Sequence, residues 1–138
     1  MKKSTSKRVP LVKTRNAETM TESAFWGFIR SALRQKSRWW LPIAKCKLLV
    51  KRPYTGTNKR QKYEYLCNHC KKYFPEKKIN VDHIVQAGSL TCAADLPGFV
   101  ERLFVEQSGL QVLCVNCHDI KTKQEKEQLK IKRNGDIK

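Results

Sequence analysis

The chain of 138 residues contains no apolar run near the roughly 18 residues that a membrane-spanning helix needs. Its basic opening, MKKSTSKRVPLVKTR, has no apolar block behind it, so no secretory leader is expected there. The length suits one domain with a modest core and excludes a large cofactor-binding enzyme. Acids are scarce: 12 Asp plus Glu stand against 29 Lys plus Arg, a net charge of +17. From Ser23 to Tyr63 there are eleven Lys and Arg and no acid at all. Histidine is rare too, with three in the chain, and no internal repeat is present. A strongly basic chain without a lipid-inserting face points to a polyanion, nucleic acid before others. Charge alone does not separate a nuclease from a ribosomal protein or a packaging factor.

The charge divides the chain. Residues 1–20 read as a basic flexible arm, with six basic residues and no acid in the first sixteen. Residues 21–62 read as a basic helical segment that binds DNA. Thr19 and Glu22 fit a capping box, followed by Phe25, Trp26, Phe28, Ile29, Ala32 and Leu33 at helical spacing. This predicts a helix over about residues 21–36, with Arg30, Arg34, Lys36 and Arg38 on or near its polar side. Trp39 and Trp40 are expected in the core or in inter-helix packing, ahead of the alternative that they stack on bases. Pro42 opens a second short helix from Ile43 to about Lys51, ended by Pro53, and residues 53–58 form a loop. Short strands are expected at Tyr63–Leu66, Ile79–Ile84 and Leu110–Leu113. One helix starts at Asp95 and Pro97, and another starts near His118. Residues 131–138 read as a frayed tail.

Four of the six cysteines stand in two pairs, Cys67-Asn68-His69-Cys70 and Cys114-Val115-Asn116-Cys117. Two C-x-x-C pairs give the spacing of a tetrahedral zinc site, because a two-residue gap lets both thiolates of a turn face one ion. The 43 residues between the pairs exceed a zinc-ribbon gap, so another element is inserted there. Cys46 and Cys92 have no partner pattern and read as buried or free thiols. Free thiols with zinc imply a reducing, cytosolic setting. His69 lies inside a knuckle whose four ligands are already complete, and reads as exposed. A four-cysteine zinc site has no open position and is structural. Any chemistry therefore lies in the insert and the helix after it. Asp82 and His83 sit at a strand tip, and His118 directly follows the second knuckle. Strand alternation points Asp82 and His83 in opposite directions. Such a set suits metal-assisted phosphodiester hydrolysis, with one unliganded imidazole taking a proton from water.

Three segments together resemble the HNH endonuclease family, and the small phage-encoded members above all. They are Cys67-x-x-Cys70, Val81-Asp82-His83-Ile84-Val85, and the run from Leu110 through Cys114-Val115-Asn116-Cys117-His118-Asp119-Ile120-Lys121-Thr122. The core resemblance covers about residues 63–126. A weaker one, through Ala32-Leu33-Arg34-Gln35-Lys36-Ser37-Arg38-Trp39-Trp40-Leu41-Pro42, reaches back to about residue 24. The resemblance implies an α+β fold with a ββα-metal core at residues 63–130, braced by a four-cysteine zinc site and preceded by basic helices. It implies that His83 is the general base and that Asp82 and His118 hold a catalytic divalent metal such as Mg2+. Cys67, Cys70, Cys114 and Cys117 would hold structural Zn2+. Lys121 and Thr122 match the family's trailing Lys-Thr and are expected at phosphate. The implied partner is DNA, not membrane, with a monomer and a homodimer both open. The implied setting is the cytoplasm of a bacterial host during phage infection, in homing, mobile-element or DNA-processing roles.

One position departs from the family. Its middle Asn, which braces the loop carrying the base, is here Gly109. Either another group braces that loop, or the enzyme is slower, or the protein is inactive. A non-catalytic zinc-knuckle nucleic-acid-binding protein accounts equally for charge and cysteines, but not for Asp82, His83 and His118 together. A zinc-stabilised protein-interaction domain accounts poorly for the charge.

Overall fold

A computed structural model describes residues 12–135. Two short strands, β1 (Lys13–Arg15) and β2 (Met20–Thr21), form an antiparallel hairpin. The turn between them holds Asn16, Ala17 and Glu18, all at positive φ of 53–63°. Residues 12–20, expected as part of a flexible arm, are thus folded back on themselves; residues 1–11 lie outside the described part. The hairpin delivers the chain into helix α1 (Glu22–Ser37). The cap is Thr21, not Thr19: the Thr21 hydroxyl accepts from the Ala24 amide at 3.1 Å. Thr19 instead donates to the Asn16 carbonyl at 2.7 Å, within the turn. Glu22 does not close a capping box. It holds Arg15 through two hydrogen bonds of 2.9 and 3.1 Å and accepts from the Trp26 indole at 2.9 Å.

Helix α2 (Leu41–Leu49) carries Pro42 in its first turn, where a missing amide costs nothing. The segment after it, expected as a loop from Pro53 on, first forms β3 (Lys51–Pro53). β3 pairs with β4 (Tyr63–Leu66), which pairs with β5 (Tyr73–Phe74), giving a small antiparallel sheet. Strands β6 (Ile79–His83) and β7 (Leu110–Cys114) form a second antiparallel ladder, with Asp82 opposite Gln111 and His83 opposite Leu110. Between them runs a loop and helix α3 (Leu96–Leu103). Helix α4 (Val115–Gly135) begins where β7 ends, with no connecting loop. It absorbs the expected tail up to Gly135; residues 136–138 lie outside the described part.

Three packed clusters hold these elements. Trp26, Ala87, Leu90, Phe99 and Leu103 join α1 to α3 and to the loop after β6. Cys46, Tyr65, Ile79, Leu110 and Val112 join α2 to both sheets. Cys67, Leu113 and Cys114 pack the two knuckles together, with Phe74 against them. Phe99, Val112 and Cys67 are the most completely enclosed side chains. The strand alternation read from Ile79–His83 follows from this. Ile79 lies in the core, while Asp82 faces α4.

Candidate metal centre and acid–imidazole cleft

The first knuckle is the turn between β4 and β5. The second straddles the junction of β7 and α4. Register brings them together: the Asn68 amide donates to the Val112 carbonyl at 2.8 Å, and Cys67 donates to the Lys72 carbonyl at 2.9 Å. The ligating atoms of Cys67, Cys70, Cys114 and Cys117 all lie within 4.8 Å of one another. Four sulfurs about 2.3 Å from a shared zinc would be about 3.8 Å apart, so the donor set fits a structural metal such as zinc. Among the described residues these cysteines form the one cluster of three or more potential ligands. Burial opposes ionisation of Cys67, but hydrogen bonds from the Cys114, Cys70 and His69 backbone bring its thiol down to about 6. Cys117 shares a hydrogen bond with Cys114, and this, with burial and the other sulfurs, pushes it up to about 12. Such opposed neighbours are what four thiols crowded around one point produce. His69 is exposed, as expected, yet its Nδ1 lies 3.5 Å from the Cys117 sulfur. Cys46 is buried, and burial pushes its thiol up; Cys92 is exposed.

The knuckle fixes where α4 starts and therefore where His118 points. His118 Nε2 lies 3.7 Å from Asp82 Oδ1. Gln111 is the link that sequence reasoning missed. Its Nε2 donates to Asp82 Oδ2 at 3.1 Å, and its Oε1 accepts from Asn68 of the first knuckle at 2.9 Å. A polar chain thus runs from the cysteine cluster to the carboxylate. His83 points elsewhere: its Nε2 is 2.8 Å from the Leu103 carbonyl oxygen at the end of α3. A carbonyl can only accept, so Nε2 carries the proton and Nδ1 is left with its lone pair.

Lys121 is not a free cation on the surface. Its ammonium reaches Asp82 Oδ2 at 2.6 Å, Glu125 Oε1 at 2.7 Å and the His83 carbonyl at 2.8 Å. Those contacts use all three donors of an ammonium, so in this structure the side chain expected at phosphate is turned inward. Burial disfavours the charge on Lys121, but Asp82 and Glu125 outweigh it and raise its pKa. Thr122, also expected at phosphate, donates to the His118 carbonyl at 2.9 Å. Glu125 was missed, although His118, Lys121 and Glu125 stand at the i, i+3 and i+7 spacing that shares one helix face.

Gly109 braces the segment after His83 through its backbone. Its carbonyl accepts from the Ile84 amide at 3.0 Å, and its own amide donates to Glu106 at 2.9 Å. A Cβ there would run into Val105, so an Asn side chain does not fit without moving that residue. The segment after His83 is held by other groups, this backbone pair and the Lys121 bond to the His83 carbonyl.

Asp82, His83, His118 and Glu125 line one open cleft of about 920 Å³, with Arg30 and Arg34 of α1 also on its wall. Arg34 is lowered by partial burial and by the neighbouring Arg30 charge. Neither guanidinium has an ion-pair partner among the described residues. Lys36 and Arg38 are exposed farther along the same helix end and do not line this cleft. Trp40 packs as expected, but Trp39 is 80% exposed, which corrects its assignment to the core. No helix among the described residues is long and apolar enough to cross a membrane. Comparison with family models, curated proteins and solved structures gave no match.

Proposed function

We propose that this protein is a metal-dependent endonuclease of the HNH type that nicks or cuts duplex DNA. The observation that carries the reading is one cleft holding Asp82 beside His118, with His83 braced separately. His83 is the general base, since its tautomer leaves Nδ1 able to take a proton from water. Asp82 and His118 would hold the divalent ion. That ion, Mg2+ or another, would stabilise charge on the scissile phosphate and the leaving oxygen. Gln111 and Lys121 hold Asp82 by its other oxygen, and Lys121 holds the carbonyl of His83 in place. Arg30 and Arg34 grip the phosphates, with Lys36 and Arg38 extending the basic track along α1. The four-cysteine site holds zinc and keeps α4 in register. Phage or mobile-element origin, and action in a bacterial host's cytoplasm, rest on the sequence resemblance.

A second reading has one observation in its favour. Lys121 already neutralises Asp82, as it would in a zinc-knuckle protein that binds nucleic acid without cutting it. Incubation of purified protein with supercoiled plasmid separates the two. Conversion to nicked or linear plasmid in magnesium, manganese or nickel, abolished by chelation, supports the nuclease. Retained DNA binding with no conversion in any metal removes it.

A further inference from the structure

We propose that Trp39 and Leu41 form a wedge that stacks on unpaired bases of a nucleic-acid strand. The proposal rests on the nucleic-acid half of the function above and not on cleavage. The corner between α1 and α2 sends its two tryptophans opposite ways. Trp40 turns inward: its indole donates to the Val105 carbonyl at 2.7 Å, and its ring meets Phe104 edge-on at 5.4 Å. Trp39 turns outward and is 80% exposed, and Leu41 is 80% exposed beside it. Leu48, also exposed, continues the apolar surface along α2. Two shallow depressions, of about 850 and 480 Å³, meet at Trp39, Trp40 and Leu41. A tryptophan left in water forgoes a large burial gain, so this corner is built to be covered.

Charge selects what covers it. The depressions are rimmed by Arg38, Lys45, Lys47 and Lys51. Of the acids there, Glu76 is paired with Lys47 at 3.5 Å, which leaves Glu106 against Arg38, Lys45 and Lys51. The corner segment itself, residues 38–51, lies in the acid-free stretch from Ser23 to Tyr63, and both acids come from elsewhere in the chain. A second copy of this chain would bring two such rims face to face across a two-fold axis, which like charges oppose. A nucleic-acid strand complements both features, with phosphates for the rim and base faces for the indole. Bases in an intact duplex have both faces covered, so the fitting form is a single strand or a locally opened one.

The test uses the full zinc-loaded protein and a 20-nucleotide oligothymidylate, which forms no duplex. Trp26 is 7% exposed and Trp40 is half-buried, so the part of the acrylamide quenching that Trp39→Phe removes reports Trp39. Binding should quench the indole emission and shield the remainder from acrylamide. Trp39→Ala should weaken binding roughly 5- to 100-fold while Trp39→Phe keeps most of it, since stacking needs an aromatic face. The melting temperature of each variant, unchanged for so exposed a side chain, excludes a folding defect. Tight oligothymidylate binding with Trp39 still open to acrylamide, and unaltered by Trp39→Ala, would overturn the proposal. So would shielding of Trp39 by anionic phosphatidylserine vesicles or by self-association, with none by oligothymidylate. No binding to any oligonucleotide overturns the wedge and the phosphate grip together. Plasmid nicking measured in parallel shows separately whether the nuclease reading stands.

Discussion

At the scale of single residues, the cleft depends on atoms that hold other atoms in place. Lys121 makes three bonds, and no other described residue joins Asp82, Glu125 and the His83 carbonyl. Lys121→Met keeps the stem and removes the donors, leaving Asp82 and Glu125 without their cation. Plasmid nicking by Lys121→Met should fall at least tenfold with DNA affinity nearly unchanged. A loss of affinity with normal turnover would return Lys121 to a phosphate contact. Gly109→Asn tests the opposite substitution. Overpacking against Val105 should destabilise the fold by about 1–3 kcal/mol in denaturant melts and give no gain in activity. A faster Gly109→Asn would mean that the loop needed the missing side chain, and an unchanged melt would mean that Val105 gives way.

At the scale of elements, helix entry and helix position matter most. Glu22 joins the β1–β2 hairpin to α1 through Arg15, and joins α1 to the core through Trp26. Hydrogen bonds from Arg15, then from Trp26, hold its carboxyl down from 4.5 to about 2. A carboxylate lowered on folding stabilises above its unfolded pKa and loses that contribution as pH falls through the folded one. Glu22→Gln should therefore melt below the wild type at pH 7, with the gap closing between pH 4.5 and about 2. A gap that persists at pH 2 would mean that the carboxylate charge is not its cause.

These elements also show what could be read from the chain. The cysteine pairs, the strand tip at Asp82-His83 and the helix behind His118 follow from local spacing, and folding keeps local spacing. Thr21 was missed as the cap because the hairpin turn draws Thr19 into its own bond with Asn16. The Leu103 carbonyl could not be read at all, since it is a backbone atom delivered by α3 from twenty residues away. Trp39 and Trp40 are adjacent and alike, and only the corner geometry decides which one is covered.

At the scale of the whole molecule, most of the basic charge and the acid–imidazole group lie in different parts of the chain and meet at one cleft. Seventeen of the 29 basic residues precede Tyr63, and the cysteine site, Asp82, His83 and His118 all follow it. Helix α1 closes the distance by placing Arg30 and Arg34 on the wall that holds Asp82 and His83. The small core between β4 and α4 is completed by the cysteine cluster rather than by further apolar bulk. Chelation of zinc, or Cys67→Ser, should unfold this half and lower the melting temperature sharply. An unchanged melting curve would defeat a structural role for the metal. The most direct test of the central claim is the single-turnover rate of supercoiled plasmid nicking by wild type and His83→Ala at equal zinc content. Nicking by the wild type and a loss of at least 100-fold in His83→Ala, with DNA binding intact, is the predicted result. Equal rates for the two proteins would contradict it.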